Sequence, residues 1–349
     1  MHQTNDRRNF LKQSMFTGGA LISLPSALAL LSACGSDEDS SEGSSATTPT
    51  TVQFQLGWKK LVQFGGHFMA LDQDHFTAEG IKAEFISGGP GIDAVADVAA
   101  GKVLIGDADA SALVLAREKG IPVKGFAAIF QRSPFAVMSL KDNPVLTLED
   151  MVGKSIGLPD GYRPQMDVLL TRAGIDPADV TYVPVGFDPA VLSTGQVDGY
   201  LGYATSQGVA LESQGIEINK VYLSDLGDPG YGNVFFATDE TVANQADLLI
   251  KWLRADLKGW QFAVDSPVEM AARVVELYGA EAGSEVVPET ASANAQVELI
   301  KGNSKGLLWI DADVFAAAAQ LAVDSGAATK LLTAEELMTE AILEGSAKE

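Results

Sequence analysis

One stretch, Val52 to Gly91, constrains the fold of this chain more than any other: VQFQLGWKKLVQFGGHFMALDQDHFTAEGIKAEFISGGPG. Val52, Phe54 and Leu56 fall on one face of a short alternating run, which predicts a strand with Trp58 just past its end. A loop carrying Gln63, Phe64, Gly65 and Gly66 leads into a helix where Phe68, Met69, Leu71 and Phe76 are spaced to meet a sheet. Gly80 ends that helix, Ile81 to Ile86 reads as a second strand, and Gly88-Gly89-Pro90-Gly91 closes the unit. Such a β-α-β unit belongs to a sheet with parallel strands, and in open α/β sheets ligands sit at the loops beyond the strands' carboxyl ends. The stretch is therefore expected to form the first wall of a small-molecule cleft.

The same order recurs downstream. A helix over Ile92 to Ala100, a strand at Val103 to Asp107, a helix at Ala112 to Lys119 with Ser111 as its cap, and a strand at Val123 to Phe130 complete a first half. A second half opens with strand Phe135 to Leu140 and repeats strand, exit loop and helix up to Leu223. Val234 to Thr238 reads as a strand returning to the first half. Beyond Asp239 the pattern is helical, with Trp252, Leu253, Leu257, Trp260, Phe262 and Ala263 in one apolar stripe and further helices at Met270 to Leu277, Ala293 to Leu299, Val314 to Val323 and Ala334 to Leu343. The expected organisation is lobe I from 52–136 and 237–349, and lobe II from 137–236.

What precedes the fold reads as an address. Arg7-Arg8-Asn9-Phe10-Leu11-Lys12 is a twin-arginine signature, and the apolar run Gly18 to Leu31 is shorter than the roughly 20 residues a membrane span needs. Leu31-Ser32-Ala33-Cys34 resembles a lipobox, so residues 1–33 are expected to be a signal peptide and Cys34 the lipidated residue anchoring the chain at the cell envelope. Cys34 is the only cysteine, which leaves no disulfide and no thiol chemistry. Residues 34–51 contain no aliphatic or aromatic residue larger than Ala beyond the cysteine itself and read as a flexible tether.

The formal charge is −22, with no basic stripe, which argues against nucleic acid as a partner. His67 and His75, the only histidines beyond the leader, have no second His at metal-ligand spacing, and no Gly-x-Ser-x-Gly accompanies them. Gly88-Gly89-Pro90-Gly91 is neither a phosphate loop nor a dinucleotide fingerprint, and its glycines suit close backbone approach. No metal, no cofactor and no catalysis are expected.

Four segments carry a family resemblance: GWKKLVQFGGHFMALDQDHFTAEGIKAEFISGGPG, LAREKGIPVKGFAAIFQRSP, LEDMVGKSIGLPDG and VDGYLGYATSQGVALESQGIEINKVYLSDLG. They resemble the type II periplasmic substrate-binding proteins of ABC importers for thiamine pyrimidine precursors, riboflavin, sulfonates or nitrate. The likeness covers most of residues 52–278 and is nearest to the pyrimidine-precursor and riboflavin branch, through Trp58 and Gln63-Phe64-Gly65. That branch often has Pro-Asn after the tryptophan, where this chain has Lys59-Lys60. The resemblance implies an α/β fold of two lobes with a hinge, a discontinuous first lobe and a C-terminal helical extension. It also implies a monomeric lipoprotein that delivers a small heteroaromatic solute to an ABC permease and its ATPase. The related pyrimidine synthases use a cysteine-rich motif that this chain lacks.

Ligand pockets are mostly apolar with a few convergent polar anchors. On that pattern Trp58 is the expected stacking residue, with Phe64 beside it, Tyr162 and Tyr203 opposing from the second lobe, and Tyr231 a weaker candidate. Asp109, Ser111, Gln131, Gln207 and Asp225 all follow strands and are the expected polar anchors, each equally suited to capping a turn. An Asp or Gln among them could pair with the ring nitrogens and exocyclic amine of a pyrimidine. Two alternatives stay open: a sulfonate, nitrate or other small anion held by Arg132 and Arg163, and a pyrimidine-acting enzyme of related fold.

Overall fold

The computed structural model describes residues 48–159 and 161–348. The twin-arginine, lipobox and Cys34 readings, and the tether up to residue 47, lie outside the described residues. The first strand begins two residues before the expected Val52, because Thr50 and Thr51 already pair with Ile81 and Lys82.

The elements follow in chain order: β1 (Thr50–Gln55), α1 (Gly65–Asp72), α2 (His75–Ala78), β2 (Ile81–Ile86), α3 (Ala94–Ala99), β3 (Ile105–Ala108), α4 (Ala110–Glu118) and β4 (Val123–Phe130). Then come β5 (Phe135–Leu140), β6 (Ser155–Leu158), α5 (Arg163–Arg172), β7 (Thr181–Pro184), α6 (Ala190–Ser193), β8 (Gly199–Tyr203), α7 (Val209–Ser213) and β9 (Ile218–Tyr222). The chain ends with β10 (Gly232–Thr238), α8 (Asp239–Asn244), α9 (Ala246–Asp265), α10 (Pro267–Ala282), α11 (Val286–Lys301), α12 (Ala312–Asp324), α13 (Ala334–Leu337) and α14 (Ala341–Ser346).

Two five-stranded sheets result, ordered β2-β1-β3-β10-β4 and β7-β6-β8-β5-β9. In each, the fourth strand runs against its neighbours: β10 in the first and β5 in the second. Both are strands that the chain enters from the other sheet, so each begins at the junction where its parallel companions end. The crossings lie at 131–134 and 223–231, since all of β5 belongs to the second sheet and all of β10 to the first. They fall earlier than 136 and 236 because ladder pairing, rather than the apolar run, sets where a strand changes sheets.

The first sheet packs on α1 and α9. Phe54 stacks on Trp252 with centroids 5.2 Å apart and planes 10° apart, and Trp252, Leu253 and Trp260 are buried as the stripe predicts. Inside that apolar layer sits one ionisable pair: His67 Nδ1 lies 2.7 Å from Asp256, whose other oxygen accepts from Trp260 Nε1 at 3.0 Å. The second sheet has its own smaller cores on its two faces, one including Leu158, Leu169 and Leu170, the other Leu192 and Leu211.

The tail does not belong to lobe I alone. Phe315, Ala318, Ala319 and Ala322 of α12 pack in the first lobe's core, whereas Leu321 packs in the second's. Arg172 of α5 also pairs with Asp324 at the end of α12. The single helix expected over Ala334 to Leu343 is broken instead, because Met338 leaves it to bridge Gly125 of β4.

Candidate ligand-binding cleft

The carboxyl ends of β1, β3, β6, β7 and β8 and the starts of β5 and β10 converge between the lobes. Their loops are pinned by contacts within the protein. The Gly57 amide donates to Asp107, and a Cβ on Gly57 would come within 2.6 Å of that carboxylate. Gly88 donates to the Trp58 carbonyl at 2.8 Å, and a Cβ there would meet the Leu56 carbonyl at 2.2 Å. Both positions need glycine for backbone approach, and at Gly88 the Gly-rich exit had pointed to it. Gln55, a buried polar residue at the end of β1, donates to the carbonyls of Leu56, Ile86 and Ser87 and holds the two exits together.

Asn233 is the hub of the cleft. It adopts φ 54°, a left-handed conformation that Asn tolerates better than most residues. Its side chain donates to Asp107 and accepts from Gln63 Nε2 at 3.0 Å and from the Tyr203 hydroxyl at 3.4 Å. Its amide donates to Asp109 at 3.4 Å. Asp109 occupies the N-cap position of α4 yet caps nothing with its side chain. Its oxygens accept from Tyr162 at 3.4 Å and Tyr203 at 3.5 Å, both from the other lobe. Three donors at such lengths make weak bonds and leave the carboxylate with unused acceptor capacity.

Beside Asp109 lies a cavity of about 340 Å³. Phe135, Tyr162 and Tyr231 supply aromatic walls, Ser111, Ser133, Gln165 and Asp228 polar ones, and Ala318, Leu321 and Ala322 of α12 an apolar floor. Phe135 lies between the two tyrosines, its centroid 4.7 Å from Tyr162 and 4.5 Å from Tyr203, the latter edge-on at 90°. Asp228 is only 9% exposed and is held by the Gly230 amide at 3.1 Å and by Gln165. Among the described residues no Lys, Arg or His side chain lines the cavity.

Enclosure disfavours charge on these acids. Burial pushes Asp107 up to about 7, against the pull of Asn233 and the Gly57 amide. Burial likewise pushes Asp109 up to about 6, and Asp228 adds like-charge repulsion. Burial raises Asp228 too. Tyr162 and Tyr203 are driven well above the usual tyrosine range, first by burial and then by Asp109, so both remain neutral donors at ordinary pH.

The candidate residues part company here. Asp109, Ser111, Tyr162 and Tyr231 line the cavity, and Tyr203 borders it through Asp109 and Phe135. Ser111 is not the helix cap it was expected to be; Asp109 holds that position. Trp58 stands at the lobe junction but outside the cavity, its ring 4.5 Å from Phe187, a residue of the second lobe left 53% exposed. Phe64 is 0% exposed and packs beside His67 in the first core, so its ring has no free face for a solute.

Gln131 donates to the Ala128 carbonyl at 3.0 Å and does not line the cavity. Gln207 accepts from the Tyr203 amide at 2.9 Å and from Ser206 at 2.8 Å, fixing the π-helical turn Ala204–Gly208 after β8. Asp225 pairs with Arg132, which also donates to Ser224 at 2.7 Å and lies 4.2 Å over the Tyr222 ring. Arg132 thereby ties one crossing segment to the start of the other, leaving no free guanidinium for an anion. Arg163 reaches Asp167 at 3.5 Å and the Tyr182 ring, also away from the cavity. Asp107, Phe135, Gln165, Phe187, Asp228 and Asn233 were not singled out from sequence. Of these only the Asp228-Pro229-Gly230 turn and Phe135, after Pro134, carry local signals of a strand-end loop. Among the described residues no group of three His, Cys, Asp or Glu side chains is placed to hold a metal.

The family described as NMT1/THI5 like matches residues 62–270. The chain belongs to this family. Its relatives in the family's range include the riboflavin-binding protein RibY of Chloroflexus aurantiacus, 26% identical over 274 residues, 74% of this chain and 76% of that one. A formylaminopyrimidine-binding protein of Halalkalibacterium halodurans is 26% identical over 71% of this chain and 76% of its own. A 4-amino-5-hydroxymethyl-2-methylpyrimidine phosphate synthase of Schizosaccharomyces pombe is 26% identical over 67% and 71%. Among solved structures, a periplasmic sulfonate-binding protein of Methylobacillus flagellatus superposes with a TM-score of 0.63 at 17% identity, covering 86% of this chain and 94% of that one. That likeness establishes the periplasmic-binding-protein fold, with its two α/β lobes.

Proposed function

We propose that this NMT1/THI5-like protein is the solute receptor of an ABC importer and captures a small heteroaromatic molecule between its lobes. The observation that carries this reading is the cavity at the strand ends, with aromatic walls from Phe135, Tyr162 and Tyr231 and acceptors from Asp109 and Asp228. Its volume of about 340 Å³ is near the lower end of the roughly 300–1,000 Å³ of small-molecule sites. That size favours a single-ring solute such as an aminopyrimidine over a flavin. Carboxylates accept from exocyclic amines and protonated ring nitrogens, while tyrosine rings flank the flat face. The two relatives named for binding riboflavin and a formylaminopyrimidine support the class of solute.

The small-anion reading has no support in the cavity, where among the described residues both charged side chains are acids. The two relatives named as binding proteins support reading the chain as a binder rather than an enzyme. Lobe I, in this reading, comprises β1–β4, β10 and the helices behind them, and lobe II comprises β5–β9. Closure would select the liganded state through contacts made from both lobes, as Asp109 with Tyr162 and Tyr203 already suggests. Export by the twin-arginine route and anchoring through Cys34 would place a monomeric receptor beside its permease and ATPase.

Native mass spectrometry of the purified protein, followed by identification of the released small molecule, tests the reading. An aminopyrimidine or related heteroaromatic is expected. A co-purifying sulfonate, or no stabilisation by any pyrimidine or flavin in a thermal-shift panel, would reject it. Metabolic labelling with a fatty acid tests the anchor, with Cys34→Ala expected to abolish incorporation.

A further inference from the structure

The cavity is electrostatically lopsided. Asp109 and Asp228 both line it, Asp107 lies directly behind in contact with Asn233, and Arg132 and Arg163 are paired with Asp225 and Asp167. Asp228 is nearly sealed from bulk water, and its two bonds come from neutral donors, Gln165 and the Gly230 amide. Asp109 is likewise served by neutral donors alone, all at long range. Two enclosed carboxylates facing one space without a cation between them repel each other, and the low local dielectric amplifies the cost.

A positively charged guest removes that cost. A bare metal ion does not suit the rest of the wall, because the floor is Ala318, Leu321 and Ala322 and the sides are rings. Aromatic faces beside carboxylates suit an organic cation, which gains from the ring quadrupoles as well as from the acids. Resting on the reading of this cleft as a heteroaromatic-solute site, we propose that its solute carries a positive charge and that Asp228, with Asp109, selects for it. The solute class is then an aminium-bearing heteroaromatic rather than one without an aminium group, and Asp228 is a specificity-determining residue.

A matched pair of probes tests this by isothermal titration calorimetry on the purified protein stripped of bound solute. 4-Amino-5-aminomethyl-2-methylpyrimidine is an aminium at neutral pH, and its 5-hydroxymethyl counterpart is a neutral near-isostere. The cation is expected to bind at least about tenfold more tightly, a margin in keeping with a desolvated cation beside carboxylate and rings. That preference should fall to within about threefold in Asp228→Asn and be unchanged in Asp142→Asn, a control for net charge at an exposed turn. If Asp228→Asn loses its cooperative melting transition, Asp109→Asn is read in its place. Equal or tighter binding of the neutral probe overturns the proposal while leaving the solute-receptor reading intact. Failure of both probes overturns the two together. A wild-type preference that survives both substitutions also overturns it.

Discussion

Trp58 and Phe187 meet across the two lobes with ring centroids 4.5 Å apart and planes inclined at 52°. One comes from the exit of β1 and the other from the loop after β7, so the pair exists only while the lobes are together. Aromatic pairs of this kind contribute about 0.5–1.5 kcal/mol beyond area burial. Phe187→Ala should therefore weaken solute binding roughly two- to tenfold by making closure less favourable, without lowering the melting temperature of either lobe. Trp58→Ala should do the same, and the Trp58 emission change on binding should vanish in it. Unchanged affinity in both variants would show that this pair plays no part in closure.

The acid cluster makes stability depend on pH in a stated direction. Burial holds Asp107 up to about 7 and Asp109 up to about 6, above the roughly 3.9 of an unfolded chain. Between those values the folded form binds more protons, so these groups contribute stability that is complete below about pH 4 and lost as pH rises through 6 and 7. The melting temperature is expected to fall between about pH 4 and 7, and to fall less in Asp107→Asn. Scanning calorimetry across that window decides the matter; an equal slope in the two proteins would refute the assignment.

Arg132 predicts a result opposite to that of an anion receptor. It ties Ser224 and Asp225 to the other crossing segment and stacks on Tyr222. Arg132→Ala should cost about 1 kcal/mol of stability, since the pair is partly exposed, and should leave solute affinity within about twofold. A complete loss of binding with unaltered folding would revive the anion reading.

The buried His67–Asp256 pair is structural. Both side chains are fully buried, and Trp260 completes the set. His67→Leu leaves Asp256 with one partner in an apolar layer and should destabilise by about 3–5 kcal/mol, measured by urea unfolding. Adding Asp256→Leu should recover part of that loss. If the double variant is worse than the single, the pair is not the source of the cost.

Much of the architecture could be read from residue pattern. Val52, Phe54 and Leu56, then Gly80 and the Gly88 exit, are local signals for local structure, and the helical stripe around Trp252 and Trp260 is similarly self-contained. The site was harder. Trp58, Asp109 and the tyrosines stand on strand exits, which periodicity can locate. Phe64 stands on an equivalent loop yet turns inward, a choice made by the fit of its ring beside His67 rather than by position in the chain. Gln207 and Asp225 satisfy backbone and Arg132, the ordinary employment of such residues at turns. Asp228 and Gln165 find each other across 63 residues. The wall given by α12 comes from the other end of the chain, where no spacing in the first half could announce it.

That last wall has a kinetic consequence. Leu321 is rooted in one lobe's interior and its neighbours Ala318 and Ala322 in the other's, so parting the lobes must wet one side of α12 and break the Arg172–Asp324 tie. Separation of the lobes is therefore expected to be the slow step that precedes solute capture. Uptake should then reach a ceiling set by that opening, where adding more solute no longer speeds capture, and Leu321→Ala should raise the ceiling.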